Sequence, residues 1–417
     1  MLLATLGSRG DVEPFLWLAR AARDAGHEVR VALPEAPDVD TTGLDTVSLG
    51  ISFADLADSL DGGLAAARAF RERIRPAMAR ALAAAADVAV DWRPQAIVAH
   101  PKVLTAPVAA ARLGVPWFVA ELTPTVTPTA EFPAAGVAAR SLGPWLNRLT
   151  FRAVGLAGAM FAGDVRAARR RLGVAGVLPA PAATLAAFSP TLVPRPADWP
   201  ATTRLTGDWH APLTPTPTSP PTTSPPVPAP APTSPPAHGV SPRVAEFLAD
   251  PRPFLYAGFG STTAGDASAR AGAILGGARA AGLRALLVTG WGGLRPSASA
   301  GDRGDALAVD AVPLAAVLPH AAAALHHGGA GTVHAAVRAG VPSIVAPFFG
   351  DQPFWAAQLQ RVGLAGPPLD PHRLTADAVA AAIATARTFA EPTRRAAERL
   401  RAEDGTRTAL AEIIAAL

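Results

Sequence analysis

The stretch Ala323-Ala324-Leu325-His326-His327-Gly328-Gly329-Ala330-Gly331-Thr332 decides the fold. A short apolar run, Ala323 to Leu325, reads as a buried strand. A cluster of small residues follows, and a helical pattern runs on to the stop signal Gly340-Val341-Pro342. The helix is expected to begin near Thr332, which can cap it and donate its hydroxyl. A strand, a glycine turn and a helix N-terminus make a place for an anion, because free N–H groups and the positive end of the helix dipole point out of the turn. The alternative is a plain glycine turn with two incidental histidines. The motif GxxxxGK[ST] is absent, which excludes a P-loop nucleotidase.

The same pattern recurs on either side. Phe254 to Ala257 leads into Gly258-Phe259-Gly260-Ser261, and Ala285 to Val288 into Thr289-Gly290-Trp291-Gly292-Gly293. Ser343 to Ala346 leads into Pro347-Phe348-Phe349-Gly350-Asp351-Gln352. Asp351 and Gln352 together can accept from and donate to several hydroxyls. In open parallel α/β sheets the ligand sits outside the carboxyl ends of the strands, where these clusters fall.

The first half repeats the theme. Leu2 to Leu6 is a short strand, Gly7 to Asp11 a turn, and Phe15, Leu18, Ala19 and Ala22 recur at helical spacing. Gly26 ends that helix, and Val29 to Leu33 is the next strand. Ala96 to Ala99, ending at His100, and Trp117 to Ala120 are further strands. Asp11 reads as a helix cap ahead of Pro14, or as a base for an incoming hydroxyl. Ser8 is ambiguous in the same way. His100 is either a substrate contact or a polar residue at a sheet end.

Between the halves, Pro212 to Pro236 reads PLTPTPTSPPTTSPPVPAPAPTSPP and can build no core. It separates residues 1–208 from 242–417, with 209–241 as linker. The chain has 417 residues and no cysteine, so it has no disulfide, thiolate metal site or thiol nucleophile. Its pI of about 10.6 reflects arginine. Of 37 Lys and Arg residues only Lys102 is a lysine, and the arginines form no basic stripe of the kind that reads nucleic acid. No apolar run is long enough to span a bilayer and no basic segment precedes an apolar one at the start, so a soluble, cytoplasmic protein is expected.

These residues resemble the GT-B glycosyltransferases, in the nucleotide-sugar-dependent branch that includes sterol glucosyltransferases and bacterial natural-product glycosyltransferases. Gly7 to Pro14 is similar to the family's first loop. Thr127-Pro128-Thr129 with Phe132-Pro133, and Asn147 to Thr150, resemble acceptor-domain segments of the sterol branch, and Phe188-Ser189-Pro190 and Pro194-Arg195-Pro196 with Asp198-Trp199-Pro200 resemble its approach to the interdomain linker. The four glycine-rich strand ends of the second half resemble its donor-binding motifs. The resemblance implies two doubly wound Rossmann-like domains facing each other across a cleft. The first would bind the acceptor and the second the nucleotide sugar, with packing of the last helix back on the first domain left open.

Site residues follow by the same resemblance. Asp11 occupies a position where relatives carry a catalytic histidine or aspartate and becomes the general base, with Ser8 beside it. Gly260, Ser261 and the turn His327, Gly328, Gly329, Ala330, Gly331, Thr332 would hold the diphosphate, and Val312 and Trp291 would lie along the donor. Asp351 and Gln352 would hold the sugar hydroxyls, and His100 and Phe132 would touch the acceptor. No cofactor and no metal is expected; a UDP- or dTDP-sugar is the co-substrate, and the acceptor is a lipophilic small molecule. Ala335 stands where the plant branch has a ribose-binding glutamate. The rival readings are an NAD-dependent oxidoreductase with Glu35 on the ribose, which lacks GxGxxG; a nucleotide-sugar epimerase; and a non-catalytic partner of another transferase.

Overall fold

The structure is a computed structural model that describes residues 1–36, 39–53, 68–211, 239–260, 265–290, 293–296 and 304–417. The proline-rich stretch, Ser261, Trp291 and Gly292 lie outside the described residues. The chain divides into two compact units, Met1–Ala211 with Glu403–Leu417, and Pro212–Ala402.

The first unit holds a seven-stranded sheet built from β1 (Leu2–Ala4), β2 (Arg30–Glu35), β3 (Asp45–Ser52), β4 (Ile97–Ala99), β5 (Trp117–Glu121), β6 (Ala183–Ala186) and β7 (Thr203–Leu205). Its order is β3-β2-β1-β4-β5-β6-β7, and each neighbouring pair is parallel. Successive side chains point to opposite faces of a strand. Leu2 and Ala4 therefore join Ile97, Ala99 and Leu82 on one side, while Leu3 joins Val98, Phe15 and Phe118 on the other. With both faces covered, near-continuous apolar strands are what a parallel sheet requires. The C-terminal helix Gly405–Ile414 belongs to this unit and adds Ala409, Leu410 and Ile413 to the Phe15 side.

The second unit holds a five-stranded parallel sheet of β8 (Phe254–Gly258), β9 (Arg284–Val288), β10 (Ala306–Val309), β11 (Ala323–His326) and β12 (Ser343–Val345). Its order is β10-β9-β8-β11-β12, again parallel at every pair.

Both orders reverse direction once, between β1 and β4 in the first sheet and between β8 and β11 in the second. At such a reversal the connections leave on opposite faces and a crevice opens at the strand ends. The loops after these four strands, together with those after β9 and β12, carry the chemistry described next.

Candidate functional site

In the first unit, helix α1 (Arg9–Asp24) starts directly after β1, with Ser8 as its N-cap residue. Asp11 is therefore the third residue of the helix and does not cap a helix beginning at Val12. Its Oδ2 accepts from the Ser8 backbone N–H at 2.8 Å and lies 3.4 Å from the Ser8 hydroxyl. Gly7, at φ +147°, leaves room for this carboxylate, since a Cβ there would lie 1.9 Å from Oδ2. Oδ1 faces the loop after β4. It accepts from His100 Nε2 at 3.1 Å and from Lys102 Nζ at 2.9 Å. His100 Nδ1 accepts from the Lys102 backbone N–H at 3.1 Å, so the ring carries its proton on Nε2.

The electrostatics follow from this arrangement. Burial pushes the Asp11 carboxyl up, but the Lys102 charge and the His100 hydrogen bond outweigh it and hold the group well below the usual carboxylate range. Burial lowers the His100 pKa, against a rise from Asp11 and a further lowering by Lys102. Asp11 is an anion, His100 a neutral donor to it, and Lys102 its counter-charge. Sequence reading singled out Asp11, Ser8 and His100 but gave Lys102 no role. Phe132 is buried and edge-on to Trp199 at 6.5 Å between ring centroids. Its ring packs against Trp199 within the first unit.

In the second unit four strand ends converge. Gly260 has φ +58° and Gly290 φ +55°, and a Cβ on Gly290 would lie 2.1 Å from the Gly260 carbonyl oxygen. Only glycine lets the loops after β8 and β9 approach this closely. The His327 ring lies between Gly260 and Gly329, since a Cβ on these glycines would meet ring atoms at 3.2 and 2.6 Å respectively. Gly328, at φ +91°, abuts Val345 and the Gln352 backbone, joining the turn after β11 to that after β12. His326 ties the same two strands together. Its Nε2 bonds the Ser343 hydroxyl at 3.0 Å and its Nδ1 accepts from the Gly328 N–H at 3.1 Å.

The helix after the turn is Ala330–Ala339, capped by Gly329 and ended by Gly340 at φ +79°. It starts before Thr332, which sits in the first turn and is not the cap. The free N–H groups of that turn belong to Ala330, Gly331 and Thr332. His327 Nδ1 is buried without a hydrogen-bond partner. Burial pushes the His327 pKa down to about 4, a Gly258 carbonyl offsetting only part of the effect.

Asp351 is the N-cap residue of helix Gln352–Arg361 and accepts from Trp355 Nε1 at 2.9 Å. Gln352 is buried, and its side-chain oxygen accepts from the Phe348 and Phe349 N–H groups at 2.8 and 3.3 Å. That oxygen is committed to shaping the loop, which leaves the amide NH₂ as the end that could meet a sugar. Val312 is buried in an apolar cluster with Tyr256 and Val317, so its side chain belongs to the core.

Two doubly wound units with these strand-end turns define a GT-B glycosyltransferase. Residues 1–128 match the glycosyltransferase family 28 N-terminal domain, and residues 303–417 match the C-terminal domain of erythromycin biosynthesis protein CIII-like proteins. The chain is 32% identical to the O-mycaminosyltylonolide 6-deoxyallosyltransferase of Streptomyces fradiae, covering 98% of this chain and 95% of the relative. It is 28% identical to a sterol 3-beta-glucosyltransferase of Neosartorya fischeri, covering 86% of this chain and 25% of that longer protein. Among solved structures, glycosyltransferase VinC in complex with DTDP superposes with a TM-score of 0.65 at 21% identity, covering 100% of this chain and 98% of VinC. The chain belongs to this family of glycosyltransferases, and it is an enzyme of that class. No described helix is long and apolar enough to cross a membrane.

Proposed function

We propose that the enzyme moves a sugar from a UDP- or dTDP-linked donor to a hydroxyl of a lipophilic acceptor, a macrolide- or sterol-like molecule, in one displacement that inverts the anomeric carbon and needs no metal. The observation that carries this reading is an ionised, largely buried carboxylate, Asp11, fixed by Ser8, His100 and Lys102 at the reversal point of the first sheet.

In this mechanism the acceptor oxygen attacks the anomeric carbon as the bond from that carbon to the diphosphate oxygen breaks. The departing electron pair stays on the nucleotide. A carboxylate held this far toward its anionic form is a weak base at the outset. The attacking oxygen turns strongly acidic as its new bond forms, so Asp11 takes the proton late in the step. His100 keeps the carboxylate oriented.

In the second unit the N–H groups of Ala330 to Thr332 would receive the diphosphate, with His327 beside them. These fixed dipoles and the helix N-terminus would stabilise the charge gathering on the leaving group, the role a divalent cation plays elsewhere. Asp351 and the Gln352 amide would hold the sugar. The relative named for O-mycaminosyltylonolide and the DTDP complex of VinC support the acceptor class and a thymidine-linked donor.

The test is a screen of UDP-glucose and dTDP-glucose against O-mycaminosyltylonolide and cholesterol, run with and without EDTA, with product detected by mass spectrometry and the configuration of product and donor read by NMR. A glycosylated product of inverted anomeric configuration, formed equally with EDTA, is expected. Epimerised donor without product would point to the epimerase reading. A product that EDTA abolishes would overturn metal independence.

A further inference from the structure

Lys102 stands out twice. It is the only lysine among 37 Lys and Arg residues, and it lies on the one carboxylate that the proposed mechanism needs. The donors to Asp11 are not equivalent. The Ser8 N–H is backbone at a helix start, and His100 is buried and pinned through Nδ1. Lys102 reaches Oδ1 on a flexible four-carbon stem with its side chain 46% exposed. It can leave without disturbing the backbone. An incoming hydroxyl must bond one Asp11 oxygen; at Oδ1 the ammonium is the donor it can displace, the long Ser8 hydroxyl contact of 3.4 Å being on Oδ2.

We propose that Lys102 is an exchangeable counter-charge. It holds Asp11 ionised and oriented in the empty enzyme, and it yields Oδ1 to the acceptor hydroxyl. The inference rests on Asp11 being the base. When the ammonium withdraws, the carboxylate loses a positive neighbour and its proton affinity rises as the hydroxyl arrives. In the displacement the hydroxyl proton then passes to Asp11, the oxygen bonds the anomeric carbon, and the diphosphate leaves with its electron pair. Among the described residues the titratable groups facing Asp11 are His100 and Lys102, both from the loop after β4; on its own helix Arg9 and Glu13 pair with each other at 2.8 Å. An arginine would suit this role poorly. A guanidinium grips a carboxylate through two parallel bonds and would compete with the hydroxyl for both oxygens.

Two measurements test the idea. Protein grown with lysine carrying ¹³C at Cε gives one lysine signal, because the chain has one lysine. Asp11→Asn is expected to shift that signal towards the free-lysine value; an unmoved signal overturns the pairing. The second measurement follows transfer from dTDP-glucose or UDP-glucose to whichever of O-mycaminosyltylonolide and cholesterol is turned over. Saturating the labelled parent enzyme with that acceptor is expected to shift the lysine signal towards the free-lysine value, as Asp11→Asn does. Lys102→Arg is expected to lower kcat about ten-fold or more, with dTDP affinity unchanged. A Lys102→Arg enzyme with full kcat, or a lysine signal that the acceptor leaves unmoved, overturns the exchange. Failure of the base assignment would look different: Asp11→Asn would keep its turnover while the lysine signal still moved.

Discussion

Gly290 packs so closely on Gly260 that a Cβ at Gly290 would lie 2.1 Å from the Gly260 carbonyl oxygen. This contact joins the loops after β8 and β9 next to His327. Gly363 makes a clean comparison, because it also has positive φ, at +72°, but has open space where a Cβ would go. Gly363→Ala should cost about 1 kcal/mol, the conformational penalty alone. Gly290→Ala should cost more and should weaken dTDP binding about ten-fold or more, because the loops must part. Thermal unfolding and calorimetry with dTDP check this; equal effects of the two variants would refute it.

Glu121, at the end of β5, is fully buried and organises the loop after it. Its Oε1 accepts from the N–H groups of Thr125 at 2.7 Å, Val126 at 2.6 Å and Thr127 at 3.2 Å, and its Oε2 from the Thr127 hydroxyl at 3.0 Å. Burial raises its pKa in spite of these donors. Glu121→Ala strands three amides, each worth about 1–3 kcal/mol when left unpaired. The Tm should fall by several degrees or more. Glu121→Gln keeps an acceptor oxygen and should lose clearly less. A smaller loss in the alanine variant would contradict the account.

Acid should destabilise the second unit before carboxylates in general are protonated. Burial pushes His326 down to about 3 and His327 to about 4. An unfolded chain binds a proton at each near pH 6.5, whereas the folded unit does not until much lower pH. The stability from keeping both rings neutral is thus complete above about pH 6.5 and is lost as pH falls towards 4 and 3, at up to about 1.4 kcal/mol per pH unit for each ring. The Tm should decline steadily from pH 7 to pH 5, and His327→Asn should flatten the slope by about one proton. A Tm independent of pH over this range would refute it.

The sequence shows the strands at each sheet centre to within a residue or two, because β1, β4, β8, β9 and β11 are short apolar runs that stop at glycine, threonine or histidine. It does not show β6 or β10. Ala183–Ala186 and Ala306–Val309 are alanine-rich, and alanine favours a helix unless the sheet around it overrides that preference. Three-residue β7 has no periodicity to read.

The site was legible as residue types but not as partnerships. Asp11 could be read as cap or base, and the structure shows Ser8 at the cap with Asp11 one turn in. Lys102 lies 91 residues from Asp11 in the chain and meets it only because β1 and β4 pair. The signal was a single lysine two residues beyond a strand-end histidine. Phe132 carried no sign of the Trp199 ring that covers it.

The central claim is that the Asp11 carboxylate takes the acceptor's proton. Single-turnover transfer by Asp11→Asn, from dTDP-glucose or UDP-glucose to whichever screened acceptor the parent enzyme glycosylates, tests it most directly, with dTDP affinity measured alongside. The account predicts a rate reduced about 100-fold or more with dTDP affinity near that of the parent enzyme. A variant that retains most of its rate would contradict it.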